Sequence, residues 1–208
     1  MITVTELAKI YRTKWSQVLA LRGTSCVIRP GELTVVFGPS GSGKSTFLRL
    51  LAGLDRPDAG SVRVDDLKIA DAAGDARTAF LRDTVGFVFQ SFNLLPGLTA
   101  KENVQFPLVL AGKSIKQSRE RAEHLLEKVG LGKRFDHYPH QLSGGEQQRV
   151  ATAVALANDP KVIIADEPTA ELDSKNAQQI VTLLSGLAKQ DGKTVVVATH
   201  DPAVLGKA

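Results

Sequence analysis

One cysteine, one methionine, one tryptophan and two tyrosines are all that the 208 residues hold of these types. With Cys26 alone, no disulfide can close within the chain, which agrees with a reducing compartment. Its surroundings, Thr24-Ser25-Cys26-Val27-Ile28, alternate, and a small buried apolar residue is the expectation there. Long hydrophobic runs are missing too. Val162–Ala165 and Val195–Ala198 fall far short of the roughly 20 residues that a membrane-spanning helix needs. Met1-Ile2-Thr3-Val4-Thr5 lacks the basic region and apolar stretch of a signal peptide. A soluble chain is expected, with any membrane role left to partners. No run or stripe of Lys and Arg stands out and the net charge is only +4, so no nucleic-acid partner is expected. The densest basic stretch, Lys113 to Arg121, reads as the solvated face of a helix. Repeats and low-complexity segments are also lacking. What is present is ordinary globular composition, 43% hydrophobic and 23% charged, which excludes disorder.

The order of elements suggests an α/β fold. Ile2–Glu6 and Val18–Ile28 alternate as strands, and Pro30-Gly31 marks a turn. Leu33–Phe37 is a continuous apolar run suited to a strand buried on both faces. A helix is expected over Lys44–Ala52, an edge strand over Gly60–Asp65, a helix over Ala76–Arg82 and a short buried strand over Val85–Phe89. The pattern then turns helical, with Lys101–Leu110, Ser114–Val129 and Gly145–Ala157. Strand character returns at Val162–Ala165 and Thr194–Thr199, around a helix over Ser174–Lys189. Alternating strands and helices predict a parallel sheet with crossover helices, interrupted by a helical lobe. Ligands of such sheets sit at the carboxyl ends of the strands.

The motifs fall at those ends. Gly38-Pro39-Ser40-Gly41-Ser42-Gly43-Lys44-Ser45 fits G-x-x-x-x-G-K-[ST] between a strand and a helix. Its glycines let backbone N–H groups turn inward around phosphate oxygens, and the helix N-terminus adds partial positive charge. Lys44 brings a full charge to the β- and γ-phosphates, and the Ser45 hydroxyl can ligate Mg²⁺. Thr46 is counted with the loop among the nucleotide-binding residues. Val162-Ile163-Ile164-Ala165-Asp166-Glu167 is an apolar strand ending in two carboxylates. Asp166 is placed to reach the Mg²⁺, and Glu167 to orient and deprotonate an attacking water.

Leu142-Ser143-Gly144-Gly145-Glu146-Gln147-Gln148-Arg149 precedes an apolar-periodic helix, with Ser143 as N-cap and Glu146 completing a capping box. The segment could merely start a helix, but adjacent glycines there cost roughly 1 kcal/mol each. They make sense where the backbone must approach a phosphate closely. With one side of a nucleotide already taken by the glycine loop, this second anion site would serve a nucleotide held by another copy.

Taken together, the sequence resembles the ATP-binding-cassette ATPases. Gly38–Ser45 matches the family's Walker A, Leu142–Gln147 its signature motif, and Ile163–Glu167 its Walker B with the following glutamate. The resemblance implies a P-loop NTPase, RecA-like core with an N-terminal antiparallel β subdomain and an inserted α-helical subdomain. One domain would span 1–208, with the catalytic core over 1–90 and 159–208 and the helical part over about 91–158. It further implies that Gln90 senses Mg²⁺ and γ-phosphate, that His200 contacts the γ-phosphate and that Tyr11 stacks on adenine, with Trp15 in the adjoining loop. Ala170-Glu171-Leu172-Asp173 stands where the family's D-loop belongs, with Glu171 in place of a small or amide residue. ATP and Mg²⁺ are the implied cofactors. The implied partners are a second copy, completing each site through Ser143, Gly144 and Gly145, and integral-membrane permease subunits.

The implied location is the cytoplasmic face of the cell membrane. Phe89–Pro96 suits either a docking surface for the permease or burial in the core. Within the family the likeness runs to the LolD/MacB/FtsE branch, through FQSFNLLPGLTAKENVQFPL and ADEPTAELD, which implies an exporter or a mechanical transmitter. Members usually continue past the histidine motif with a further strand and helix, so a truncated sequence is expected. The long coiled coils and zinc modules of cassettes in DNA repair or translation are missing, and Glu167 with His200 favours hydrolysis over regulation by binding alone.

Overall fold

The computed structural model describes residues 1–69, 72 and 74–206. Two four-stranded sheets organise it. The first is antiparallel, in the order β2 (Gln17–Ile28), β1 (Ile2–Arg12), β4 (Ala59–Val64), β5 (Leu67–Lys68). The second is parallel, in the order β3 (Leu33–Phe37), β8 (Thr194–Thr199), β7 (Val162–Asp166), β6 (Val85–Val88).

Three expectations change. β1 runs on to Arg12 instead of ending at Glu6, because register shifts at Val4/Leu7 and Lys9/Ile10 break the alternation without breaking the pairing. β4 is not an edge strand, since it lies between β1 and the short β5. β3 is the outer strand of the parallel sheet: Leu33 to Val36 are half-buried and Phe37 is 50% exposed. Leu33 and Val35 pack to one side of the sheet and Val36 to the other, so both faces are covered and the edge is what stays open. Cys26 likewise is half-buried, and its burial raises the thiol pKa.

The parallel sheet separates two cores. Along β7 and β8, Ile163, Ala165, Val195 and Val197 face one core, while Val162, Ile164, Val196 and Ala198 face the other. A strand buried on both faces reads as a continuous apolar run for this reason. On the second side, α1 (Lys44–Leu51) supplies Phe47, Leu48 and Leu51 and joins the sheet to Ile2, Val4 and Val62 of the antiparallel layer. α2 (Asp75–Asp83) adds Phe80 there. On the first side lie α3 (Ala100–Leu110), α4 (Ile115–Lys128), α5 (Gly144–Ala155) and α6 (Ser174–Lys189). Val104, Leu125, Val150 and Ile180 share that core with the sheet, so the inserted helices are packed onto the strands. A short α7 (Pro202–Leu205) follows β8. Among the described residues no helix is long and apolar enough to cross a membrane.

Candidate functional site

Between β3 and α1 the chain makes the glycine loop. Lys44 is buried, and its Nζ donates to the carbonyls of Gly38 (2.9 Å) and Pro39 (3.1 Å) and pairs with Glu167 Oε1 at 3.1 Å. The loop thus wraps its own lysine, and Ser42 N–H closes it on the Pro39 carbonyl. Gly43 caps α1 at φ 92°, and a Cβ there would stand 2.5 Å from the Ala20 carbonyl of β2. Only glycine lets the helix start this close to the neighbouring sheet. α3, α4, α5 and α6 each begin with a side-chain cap, whereas α1 has none and no acid in its first turn. Its N-terminal N–H groups and partial charge are left to an anion.

The carboxyl ends of β7 and β8 supply the other wall. Asp166 is buried and accepts a hydrogen bond from Ser45 Oγ at 2.9 Å. Burial raises the pKa of its carboxyl group, against the hydrogen bond from Ser45. Glu167 has φ 47°, a left-handed backbone that is strained for a residue with a Cβ. Its N–H is held by the Ala198 carbonyl at 2.9 Å, and its Oε2 lies 2.9 Å from His200 Nδ1 and 3.3 Å from the His200 N–H. Lys44, Glu167 and His200 therefore form one line of contacts, with Ser45–Asp166 beside it.

These residues open on a cavity of 570 Å³. Pro39, Ser40, Gly41, Gly43, Lys44, Ser45 and Thr46 form its floor. Gln90, Glu167, Ala170 and His200 also line it, as do Tyr11, Val18, Leu19 and Ala20. Gly38, Ser42 and Asp166 are not part of this lining. The ring of Tyr11 is held from outside: its hydroxyl donates to Asp55 Oδ2 at 3.0 Å, and Asp55 also takes Lys9 Nζ at 2.9 Å. Trp15 is 88% exposed in the β1–β2 loop and contributes nothing to the wall. The Val18–Ala20 wall was not expected from the sequence: Val18 and Leu19 read there as part of an alternating strand, and their exposure shows only in the structure.

Ser143, Gly144 and Gly145 lie outside that cavity lining. Ser143 caps α5 with a full capping box: Glu146 N–H donates to Ser143 Oγ (3.3 Å), and Ser143 N–H donates to Glu146 Oε2 (2.9 Å). That N–H, with Arg134 at 2.9 Å, lowers the Glu146 pKa to about 2. The two glycines have different reasons. A Cβ on Gly145 would overlap the Asn176 side chain of α6, so packing within the chain is by itself a reason for this glycine. A Cβ on Gly144 would meet ordinary contacts at 3.6 Å, from Phe92 and the Glu171 carbonyl, so nothing in the chain demands glycine there. Asp173 caps α6 through Asn176 N–H at 2.9 Å, and Glu171 is exposed. In the segment after Gln90, Leu94 packs on the core while Leu95 is exposed, so it is divided between the two roles expected for it.

Among the described residues no group of three or more His, Cys, Asp or Glu could hold a metal ion by itself. Ser45 and Asp166 offer two adjacent oxygens, a donor set that suits Mg²⁺, which keeps waters and takes phosphate oxygens to complete its shell.

A glycine loop around a buried lysine, an uncapped helix start and two carboxylates at strand ends define a P-loop nucleotide-hydrolysing protein. The family model described as ABC transporter matches residues 21–170, and the chain belongs to that family as an ATP-binding, ATP-hydrolysing cassette. It is 50% identical over 202 residues to an ABC transporter ATP-binding protein of Thermotoga maritima, spanning 97% of this chain and 86% of the relative. It is 45% identical over 204 residues to the macrolide export ATP-binding/permease protein MacB of Marinobacter nauticus, of which it spans 32%. A dimeric, post-hydrolysis structure of the ATP-binding cassette MJ0796 bound to ADP and Pi aligns with a TM-score of 0.92 at 45% identity, over 100% of this chain and 91% of that one. A protein of that designation comes from Methanocaldococcus jannaschii. These likenesses place the chain in the LolD/MacB-like branch, and its fold is that of the cassette ATPases.

Proposed function

We propose that two copies of this chain close around two ATP·Mg²⁺ and hydrolyse them to drive a membrane permease at the cytoplasmic face of the membrane. The observation that carries this reading is the single line of contacts from Lys44 through Glu167 to His200, beside Ser45–Asp166. Adenine stacks on Tyr11 against Val18 and Leu19. The triphosphate lies along Gly38, Pro39, Ser40, Gly41, Ser42 and Gly43 to the start of α1 at Thr46, with the Lys44 ammonium against the β- and γ-oxygens. Ser45, Gln90 and Asp166 are the residues that would hold Mg²⁺, which would supply charge neutralisation at the transferring phosphoryl group. Glu167 accepts the proton of the attacking water, and His200, bonded to that carboxylate, keeps it oriented and faces the γ-phosphate. The strained backbone of Glu167 fixes where its carboxylate points.

Ser143, Gly144 and Gly145 lie outside the chain's own cavity lining, with Gly144 free of any packing need, and this supports their use on a second copy's nucleotide. The dimeric state of the MJ0796 cassette supports the same arrangement. The joined ATP-binding and permease segments in the name of MacB, a macrolide export protein, support a permease partner and an export-type role.

Mixing tests the shared site. Lys44→Ala and Ser143→Arg subunits should each be inactive alone, and together should recover hydrolysis in one composite site. Silence from a mixture proven to heterodimerise would contradict a site shared between two copies.

A further inference from the structure

Gln148 sits on α5, one turn beyond Gly145, and is 0% exposed. Its Nε2 donates to the Phe89 carbonyl at 3.3 Å. The Oε1 of the same amide has no hydrogen-bond partner, a condition shared among the described residues only with Ser118 Oγ. A buried amide half of whose capacity is unmet is a liability that an apolar side chain of the same shape would remove. Phe89 immediately precedes Gln90, which lines the nucleotide cavity. The amide therefore ties the first turns of the signature helix to the peptide that carries Gln90.

The two ends of this contact between α5 and β6 differ in kind. At the far end the backbones touch: a Cβ on Gly86 of β6 would overlap the Ala155 carbonyl, so that junction is rigid. At the near end one hydrogen bond joins Gln148 to the strand terminus, with a spare acceptor on the same side chain. A tilt of the signature end about the Gly86–Ala155 contact is felt first at Phe89 and Gln90.

We propose that Gln148 is a positioning residue for hydrolysis, reporting the seating of the signature turn to Gln90 through the Phe89 carbonyl. The proposal rests on the reading of Gln90 as a nucleotide-sensing residue. Its unmet Oε1 is the acceptor that takes up an N–H of the segment after Phe89 when the helix tilts, so that the amide has two settings.

The test compares the full chain with Gln148→Met, Gln90→Ala and the double variant, by steady-state ATP hydrolysis and thermal melting. Gln148→Met should melt within about 3 °C of wild type, because the lost bond to the Phe89 carbonyl is offset by removal of the buried unpaired Oε1. It should lower kcat about tenfold with KM for ATP changed by less than about twofold. In the Gln90→Ala background it should cost nothing further. A lowered melting temperature with activity restored on cooling would make Gln148 a packing residue and overturn the proposal. Additive losses in the double variant would overturn it as well. Wild-type turnover by Gln90→Ala alone would remove the residue through which Gln148 acts, an outcome told apart from the others by that single variant.

Discussion

The glycine loop and the signature turn are both helix starts built around glycines, and they are wired in opposite ways. At the loop, the helix has no side-chain cap, and a buried lysine and the two carboxylates at the end of β7 converge on it from within the chain. At the turn, the capping box satisfies the N–H groups of Ser143 and Glu146 and leaves those of Gly144 and Gly145 without a side-chain cap, while Arg134 pairs with Glu146. The first is a pocket with charge waiting in it. The second is a capped turn with room beside Gly144. A pocket that gathers its own charges beside a separate turn with room at Gly144 is the arrangement expected if the turn serves a nucleotide held by a second copy, as proposed.

The widest gap between the two regions should come from Glu167→Gln. The exchange keeps shape and hydrogen bonding but removes the base, and hydrolysis should fall by about 10³. ATP binding should stay intact and an ATP-dependent dimer should accumulate, measured by phosphate release and size-exclusion chromatography with nucleotide. Turnover at the wild-type rate would take Glu167 out of the chemistry. Lys44→Ala should come next, lowering ATP affinity about 100-fold in an equilibrium titration, because it removes the charge facing the phosphates. Unchanged affinity would contradict the phosphate-loop assignment.

Much of the first region was legible in the sequence because its chemistry is contiguous. The run over Gly38–Ser45 and the apolar strand before Asp166 carry their meaning within a few residues, and α6 and β8 have the limits that their periodicity predicts. Contacts between distant segments were not legible. Nothing near Gly145 announces Asn176, and nothing near Tyr11 announces Asp55. Alternation gave out at the bulges of β1, where two residues face one and the pairing continues. The edge position of β3 was hidden as well, because helices cover both its faces and its composition reads like that of an inner strand.

The two signature glycines separate fold from function. Gly145→Ala should destabilise the chain by about 1–3 kcal/mol through overlap with Asn176, read as a lower urea midpoint. Gly144→Ala has room for its methyl group within the chain and should leave that midpoint alone. If the turn serves a neighbouring nucleotide, Gly144→Ala should still reduce hydrolysis. Equal loss of stability in both would dissolve the distinction.

The smallest effect sharpens the comparison from the side of the cap. Glu146 has a folded pKa of about 2, below its ordinary 4.5, chiefly because the Ser143 N–H favours the carboxylate, with Arg134 adding to it. A depressed carboxyl pKa contributes stability that is present above the unfolded value and is lost as pH falls through the folded one. Glu146→Gln keeps the capping geometry but loses the charge, so it should cost about 1 kcal/mol at neutral pH. That difference should shrink between pH 4.5 and about 2, measured by urea unfolding of both proteins across the range. A difference that does not vary with pH would mean that the carboxylate charge plays no part in holding the signature turn, and that its shape alone keeps Ser143 and Gly144 presented outward.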